Sequence, residues 1–332
     1  MAISTRENML RVYRHEEPDY LPLDIDIQTV RTIGHGILQQ ETVGVNTAGG
    51  TDEVDFFGQN WKFEPVIDAF NPDASNYIIK DVAEWRRYVT IPDLEAIDLK
   101  ARFEKEDIQL DRENKLILVR DPIGIWERAF SMIEATELLT GLLTEPEAMY
   151  DFFKTIADHK IKLQNYYIDY YKPDVLAMHD DYGSGQGLFM SPATWRELIK
   201  PHLQRIIDNV RLKGVMYEHH CCGQMGLLAE EIAAMGAVSW NTVHSCNDPY
   251  ECKKKFGDKI AFTGGMLDQW FMDAPHTTED EVRAHVRDVL AKMLPGYVFV
   301  SGKTISNPER NAWINDEILK SGQQYYKEKR PA

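Results

Sequence analysis

Apolar positions in the second half of the chain form short runs bounded by turn residues, separated by longer stretches with helical spacing. The runs Lys115–Arg120, Asp174–Asp180, Gly214–Cys222, Ala237–Val243, Lys259–Gly264 and Gly296–Ser301 have the pattern of parallel strands buried on both faces. Helix starts between them are well marked. Thr144-Glu145-Pro146-Glu147 has capping-box spacing, and Phe152, Phe153, Ile156, Leu163 and Tyr167 follow on one helical side. Ser191-Pro192 reads as an N-cap with proline at the first helical position. The helix it opens carries Leu198, Ile199, His202, Leu203, Ile206, Ile207 and Val210 on one side, and Pro201 inside it predicts a kink or a split. Thr278–Glu281 is a second capping box, before Val282, Val286, Val289 and Leu290.

Repeated strand–helix units imply parallel strands joined by right-handed crossovers. A barrel needs two more strands from the first third. Tyr20–Ile27 supplies one, and the other has no clear signal. An open doubly wound sheet competes, but no G-x-G-x-x-G follows a strand. The expectation is a (β/α)8 TIM barrel, one domain over residues 1–332, a length ordinary for that fold.

Charge and composition narrow the partners. With 53 acidic against 37 basic residues the net charge is −16, and no basic stripe offsets it, which argues against nucleic acid. No window approaches 18 uninterrupted apolar residues, so no membrane span is expected. The opening MAISTRENMLRVYRHEE is charged and amphipathic without a signal-peptide apolar core, which points to the cytoplasm. There the four cysteines (Cys221, Cys222, Cys246, Cys252) read as thiols or metal ligands rather than disulfides.

Barrel enzymes carry their chemistry just past the strand C-termini. Those places hold Asp121–Gly124, His179–Gly183, His220–Gly223, Thr242–His244, Gly264–Met266 and Gly302–Thr304, a gathering of titratable residues and glycines. Alternation along Gly214–Gly223 puts Met216, Glu218, His220 and Cys222 on one face, with His219 and Cys221 on the other. His-x-Cys on one face suits two ligands of a tetrahedral metal, zinc above all; the bland alternative is a hydrogen-bonded core histidine and an inert thiol. Asp180 and Asp181 fit proton transfer, support of a metal, or simple capping. His244 and Cys246 read more readily as loop residues, and Lys303 as an anion binder or a surface lysine. Trp126, Tyr182, Phe189 and Trp240 read as core packing or as a pocket wall.

At these residues the chain resembles the uroporphyrinogen decarboxylase superfamily over nearly its whole length. The resemblance is carried by Thr5–Arg11, Glu17–Pro22, the stretch from His179 to Ile207, His220-x-Cys222-Gly223, Phe262–Gly265 and Gly302–Asn311. It implies a (β/α)8 barrel and at least two chemistries. The arginine-rich signature that grips uroporphyrinogen carboxylates is replaced here by the acidic Asp24–Arg31, and Thr51–Gly58 lacks the decarboxylase aspartate motif.

Asp55–Gly58 and His220-x-Cys222 instead look like the corrinoid-dependent methyltransferases. In their thiol-methylating members a late cysteine completes a zinc site; here Lys303 stands in its place and no cysteine follows Cys252. The resemblance therefore implies methyl transfer from a small methylated substrate, an aryl methyl ether first, to the cobalt of a separate corrinoid protein. His220 and Cys222 would hold zinc with Glu218, or less readily Asp181 or His244, as the third ligand; Asp181 or His244 would protonate the leaving oxygen, and Gly265 and Lys303 would meet the cofactor. A decarboxylase of another substrate, or a barrel without catalysis, are the alternatives.

Overall fold

Alternate residues along the buried runs belong to two separate apolar clusters, and that division organises the molecule. The computed structural model describes residues 3–31, 53–64, 69–265, 269–300 and 307–329. Its strands are β1 (Ile27–Arg31), β2 (Glu53–Val54), β3 (Asn60–Glu64), β4 (Ala69–Pro72), β5 (Leu116–Asp121), β6 (Val175–His179), β7 (Met216–His220), β8 (Ala237–Asn241), β9 (Ala261–Thr263) and β10 (Tyr297–Val298). Seven form one sheet in the order β1-β5-β6-β7-β8-β9-β10, every neighbouring pair parallel. The other three make a small antiparallel sheet, which the sequence pattern did not announce.

The seven strands curl into a half-barrel with helices on the outside. Leu116, Leu118, Val175, Ala177, Ala261 and Val298 face inward and pack on Met9, Leu10, Val12 and Tyr13 of the first helix, Thr5–Tyr13. Ile117, Val119, Leu176, Met178, Tyr217, Trp240 and Phe262 face outward into the cluster shared with the surrounding helices. Burying each such side chain contributes about 1.5–3 kcal/mol.

The ends of the sheet meet at a single parallel bridge, Leu23 to Phe299, where Asp24 N–H donates to the Phe299 carbonyl. The ladder goes no further, so the closed eight-stranded barrel expected from sequence is a seven-stranded half-barrel among the described residues. The reason is local: within the expected strand Tyr20–Ile27, residues Asp24–Asp26 wind into a 3-10 turn, and regular pairing begins only at Ile27.

Two helix signals hold and one fails. Ser191 Oγ accepts from Thr194 N–H at 3.0 Å, and the helix divides at Ile199 into Pro192–Leu198 and Lys200–Leu212, as Pro201 requires. Thr278 and Glu281 form a reciprocal capping box. Thr144, however, is the last residue of the helix Ala135–Thr144; Pro146 starts the next with no side-chain cap. Among the described residues no helix is long and apolar enough to cross a membrane.

Candidate metal centre

Parallel pairing aligns the C-terminal ends of β6 and β7 so that His179 lies opposite His220. Both side chains face the concave side, and their rings stand 3.9 Å apart between centroids. Two residues further on, each chain places a second donor, Asp181 and Cys222. The loops approach closely because Gly223 adopts φ +63°, and a Cβ there would come within 2.3 Å of the Gly183 carbonyl oxygen. Cys222 N–H donates to Asp181 Oδ1 at 2.6 Å, locking the loops together.

The four side chains offer ligand atoms within 4.8 Å of one another. His220 Nε2 is 3.3 Å from Cys222 Sγ, and His179 Nε2 is 3.7 Å from Asp181 Oδ1. Tetrahedral ligands at zinc, about 2.0–2.3 Å from the ion, stand roughly 3.3–3.8 Å apart, so these separations fit. Each imidazole is also oriented from behind. His179 Nδ1 meets Glu127 Oε2 at 2.8 Å, and His220 Nδ1 meets Asn241 Oδ1. With Nδ1 of each ring engaged there, Nε2 is the ring atom that faces the other donors.

The electrostatics set the two rings apart. Burial, then the charges of His179 and Arg120, push the His220 imidazole well below its usual pKa, against the pull of Asn241. Burial also acts against a charged His179, but Glu127, Cys222 and Asp181 outweigh it and hold this ring well above the usual histidine range. Burial raises the Cys222 thiol, although a bond with His179 opposes the rise. Metal-free, the cluster thus keeps its positive charge on His179. A bound cation would take over that role and favour the thiolate.

Other expected residues fall nearby or elsewhere. Glu218 lies one inward position below His220, 1% exposed, with the Tyr13 hydroxyl donating to its Oε2 at 2.7 Å, and it stands outside the four-donor group. His244 accepts from Gly223 N–H through Nδ1 at 3.2 Å; burial lowers its pKa while Asp181 opposes the shift. Asp180 caps the helix Ile125–Met132, its carboxylate accepting from Trp126 and Glu127 N–H. Burial, then Glu127, push its pKa up to about 7. Gly265 adopts φ +73° and presses against Thr242 and Val243, and Lys303 lies outside the described residues.

His219 and Cys221 face the outer layer, where His219 stacks on Tyr182 and Cys221 Sγ accepts from Tyr182 N–H. Trp126, Tyr182 and Trp240 are core residues, whereas half-exposed Phe189 stacks on Trp126 and Phe130. His179 escaped selection as a ligand. Its signal was its place at a strand end, level with His220 and two residues before a carboxylate.

Residues 55–309 match the family model Uroporphyrinogen decarboxylase (URO-D), and the chain belongs to that family. No curated protein matches it significantly. Among solved structures it is similar to a methyltransferase from Methanosarcina mazei, with a TM-score of 0.65 at 15% identity over 98% of this chain and 99% of that one. D-allulose 3-epimerase from Methylomonas sp. aligns at a TM-score of 0.28 and 12% identity over 64% of this chain and 86% of that one, too slight a likeness to carry an argument.

Proposed function

We propose that this chain is a methyltransferase that takes a methyl group from a small substrate, an aryl methyl ether first, and passes it to the cobalt of a separate corrinoid protein in the cytoplasm. The observation that carries the reading is the four-donor group His179, Asp181, His220 and Cys222, with both Nε2 atoms turned inward. Family membership and the fold shared with a methyltransferase support it. On a (β/α)8 reading of the curled sheet, the group occupies the rim where such enzymes act.

These four residues would hold zinc, which supplies Lewis-acid activation of the leaving oxygen. Glu218 gives way as ligand to His179 and Asp181. His179, Asp181 and Cys222 are part-exposed, so substrate and corrinoid can approach from the rim side. The carbon–oxygen bond breaks as the methyl carbon accepts the electron pair of cobalt(I), which becomes cobalt(III). The oxygen leaves with the bonding electron pair and takes its proton from solvent; His244, whose Nδ1 accepts from Gly223 N–H so that Nε2 carries the hydrogen, would donate a hydrogen bond to it.

The test incubates zinc-loaded protein with photoreduced cobalamin and methoxylated aromatics, following loss of the cobalt(I) absorption band. Conversion to methylcobalamin is expected with an aryl ether. A band that persists with ethers, amines and thioethers alike rejects methyl transfer.

A further inference from the structure

Glu127 touches the candidate centre from outside it, and its attachment is double. Its carboxylate accepts from His179 Nδ1 at 2.8 Å, while its backbone N–H donates to Asp180 Oδ1 at 2.9 Å. Residues 179 and 180 therefore grip one residue of the helix Ile125–Met132, which follows the neighbouring strand β5, by side chain and by main chain. The approach is close: a Cβ on Gly124, just before that helix, would sit 2.2 Å from the Asp180 carboxyl carbon. Such contact admits only glycine, and it fixes the first turn of the helix against the end of β6.

We infer that Glu127 is a positioning residue, which sets the tautomer and ring orientation of His179 so that Nε2 faces Asp181, His220 and Cys222. This rests on the metal reading above and extends it to a residue that need not touch the ion. The chemistry follows from donor count. A neutral imidazole has one N–H and one lone pair, so an acceptor fixed at Nδ1 leaves the lone pair at Nε2. Without that acceptor the ring can turn over or exchange tautomers, and the donor set loses a member. Removing such a partner typically weakens metal binding about 10–100-fold.

Three proteins test it: wild type, Glu127→Met, which removes the acceptor, and Glu127→Gln, which keeps an acceptor oxygen. Each is titrated with cobalt(II) as a spectroscopic stand-in for zinc, with circular dichroism checking the fold. Wild type should show intense visible bands of a four-coordinate site with a thiolate charge-transfer band. Glu127→Met should bind about 10–100-fold more weakly with altered bands, and Glu127→Gln should recover most of the affinity. Folded Glu127→Met with wild-type affinity and spectrum overturns the positioning role while leaving the metal site standing. Absence of binding by wild type overturns the metal reading and this inference with it. Should Glu127→Met not fold, an unchanged affinity in folded Glu127→Leu overturns the role, and a 10-fold or greater loss supports it.

Discussion

The imidazoles of His179 and His220 lie with ring centroids 3.9 Å apart and planes 33° from parallel, one at the end of each of two adjacent parallel strands. Two rings so close cannot both carry charge cheaply in a buried place. The protein resolves the conflict by setting a carboxylate behind one ring and an amide oxygen behind the other. His179 is the ring that charges and His220 the ring that stays neutral.

Wild-type protein should bind zinc in equimolar amount. His179→Gln, His220→Gln and Cys222→Ser should each retain less than about a tenth of it after dialysis against a weak chelator, since each loses a ligand. Elemental analysis by mass spectrometry checks this. Stoichiometric zinc in all three variants removes the group from consideration.

Glu218→Gln should leave zinc content unchanged and give a protein at least as stable at neutral pH. Burial raises the Glu218 carboxyl above its ordinary 4.5, against Arg120 and the Tyr13 and Ser239 bonds. A raised value in the folded state means that the stability is fully present below 4.5 and lost as pH rises through the folded value. The amide keeps the Tyr13 bond without the charge, so its advantage should vanish near pH 4. Urea melts at several pH values measure it, and loss of zinc in this variant would restore Glu218 as a ligand.

His159 gives the opposite pH slope. It is 4% exposed, edge-on to Phe57 with ring centroids 5.1 Å apart, and burial followed by Lys160 and Arg128 lowers its pKa to about 3. Its share of stability is fully present above the ordinary 6.5 and is lost as pH falls toward 3. His159→Phe keeps the ring packing and should flatten the decline of Tm between pH 7 and 4. Parallel melting curves for the two proteins would refute this assignment.

Arg128→Met should be among the most destabilising surface-remote changes, costing about 3–5 kcal/mol. It strands the Asp55 carboxylate, which is buried and also accepts from Trp61 Nε1 and from Phe57 and Gln59 N–H. Asp55→Asn combined with Arg128→Met should recover part of the loss, because no uncompensated charge remains. Denaturant unfolding of the single and double variants checks the non-additivity.

Buried parallel strands were legible because their residues are apolar on both faces, so the runs stand out without alternation. The strand edges were less so: Asp24–Asp26 turns where an extended run was expected, and Thr144 ends one helix rather than capping another. At the candidate centre, alternation placed Glu218 correctly on the face of His220. A step of two residues along a strand is about 6.6 Å, however, which drops Glu218 into the layer below. His179 and Asp181 reach the group through pairing between β6 and β7, a register that no single segment encodes. The antiparallel β2–β4 sheet was missed for the same reason, its strands being short and its pairing non-local.

The bond from Tyr13 to Glu218 spans 205 positions of chain. At about 5–20 residues per second, synthesis of that interval takes roughly 10–40 s. The first helix leaves the ribosome long before the strand that receives its hydroxyl, so Met9, Leu10 and Val12 must wait with their apolar face uncovered until the later strands curl around them. A segment made well before those strands is thus among the last to reach its final place.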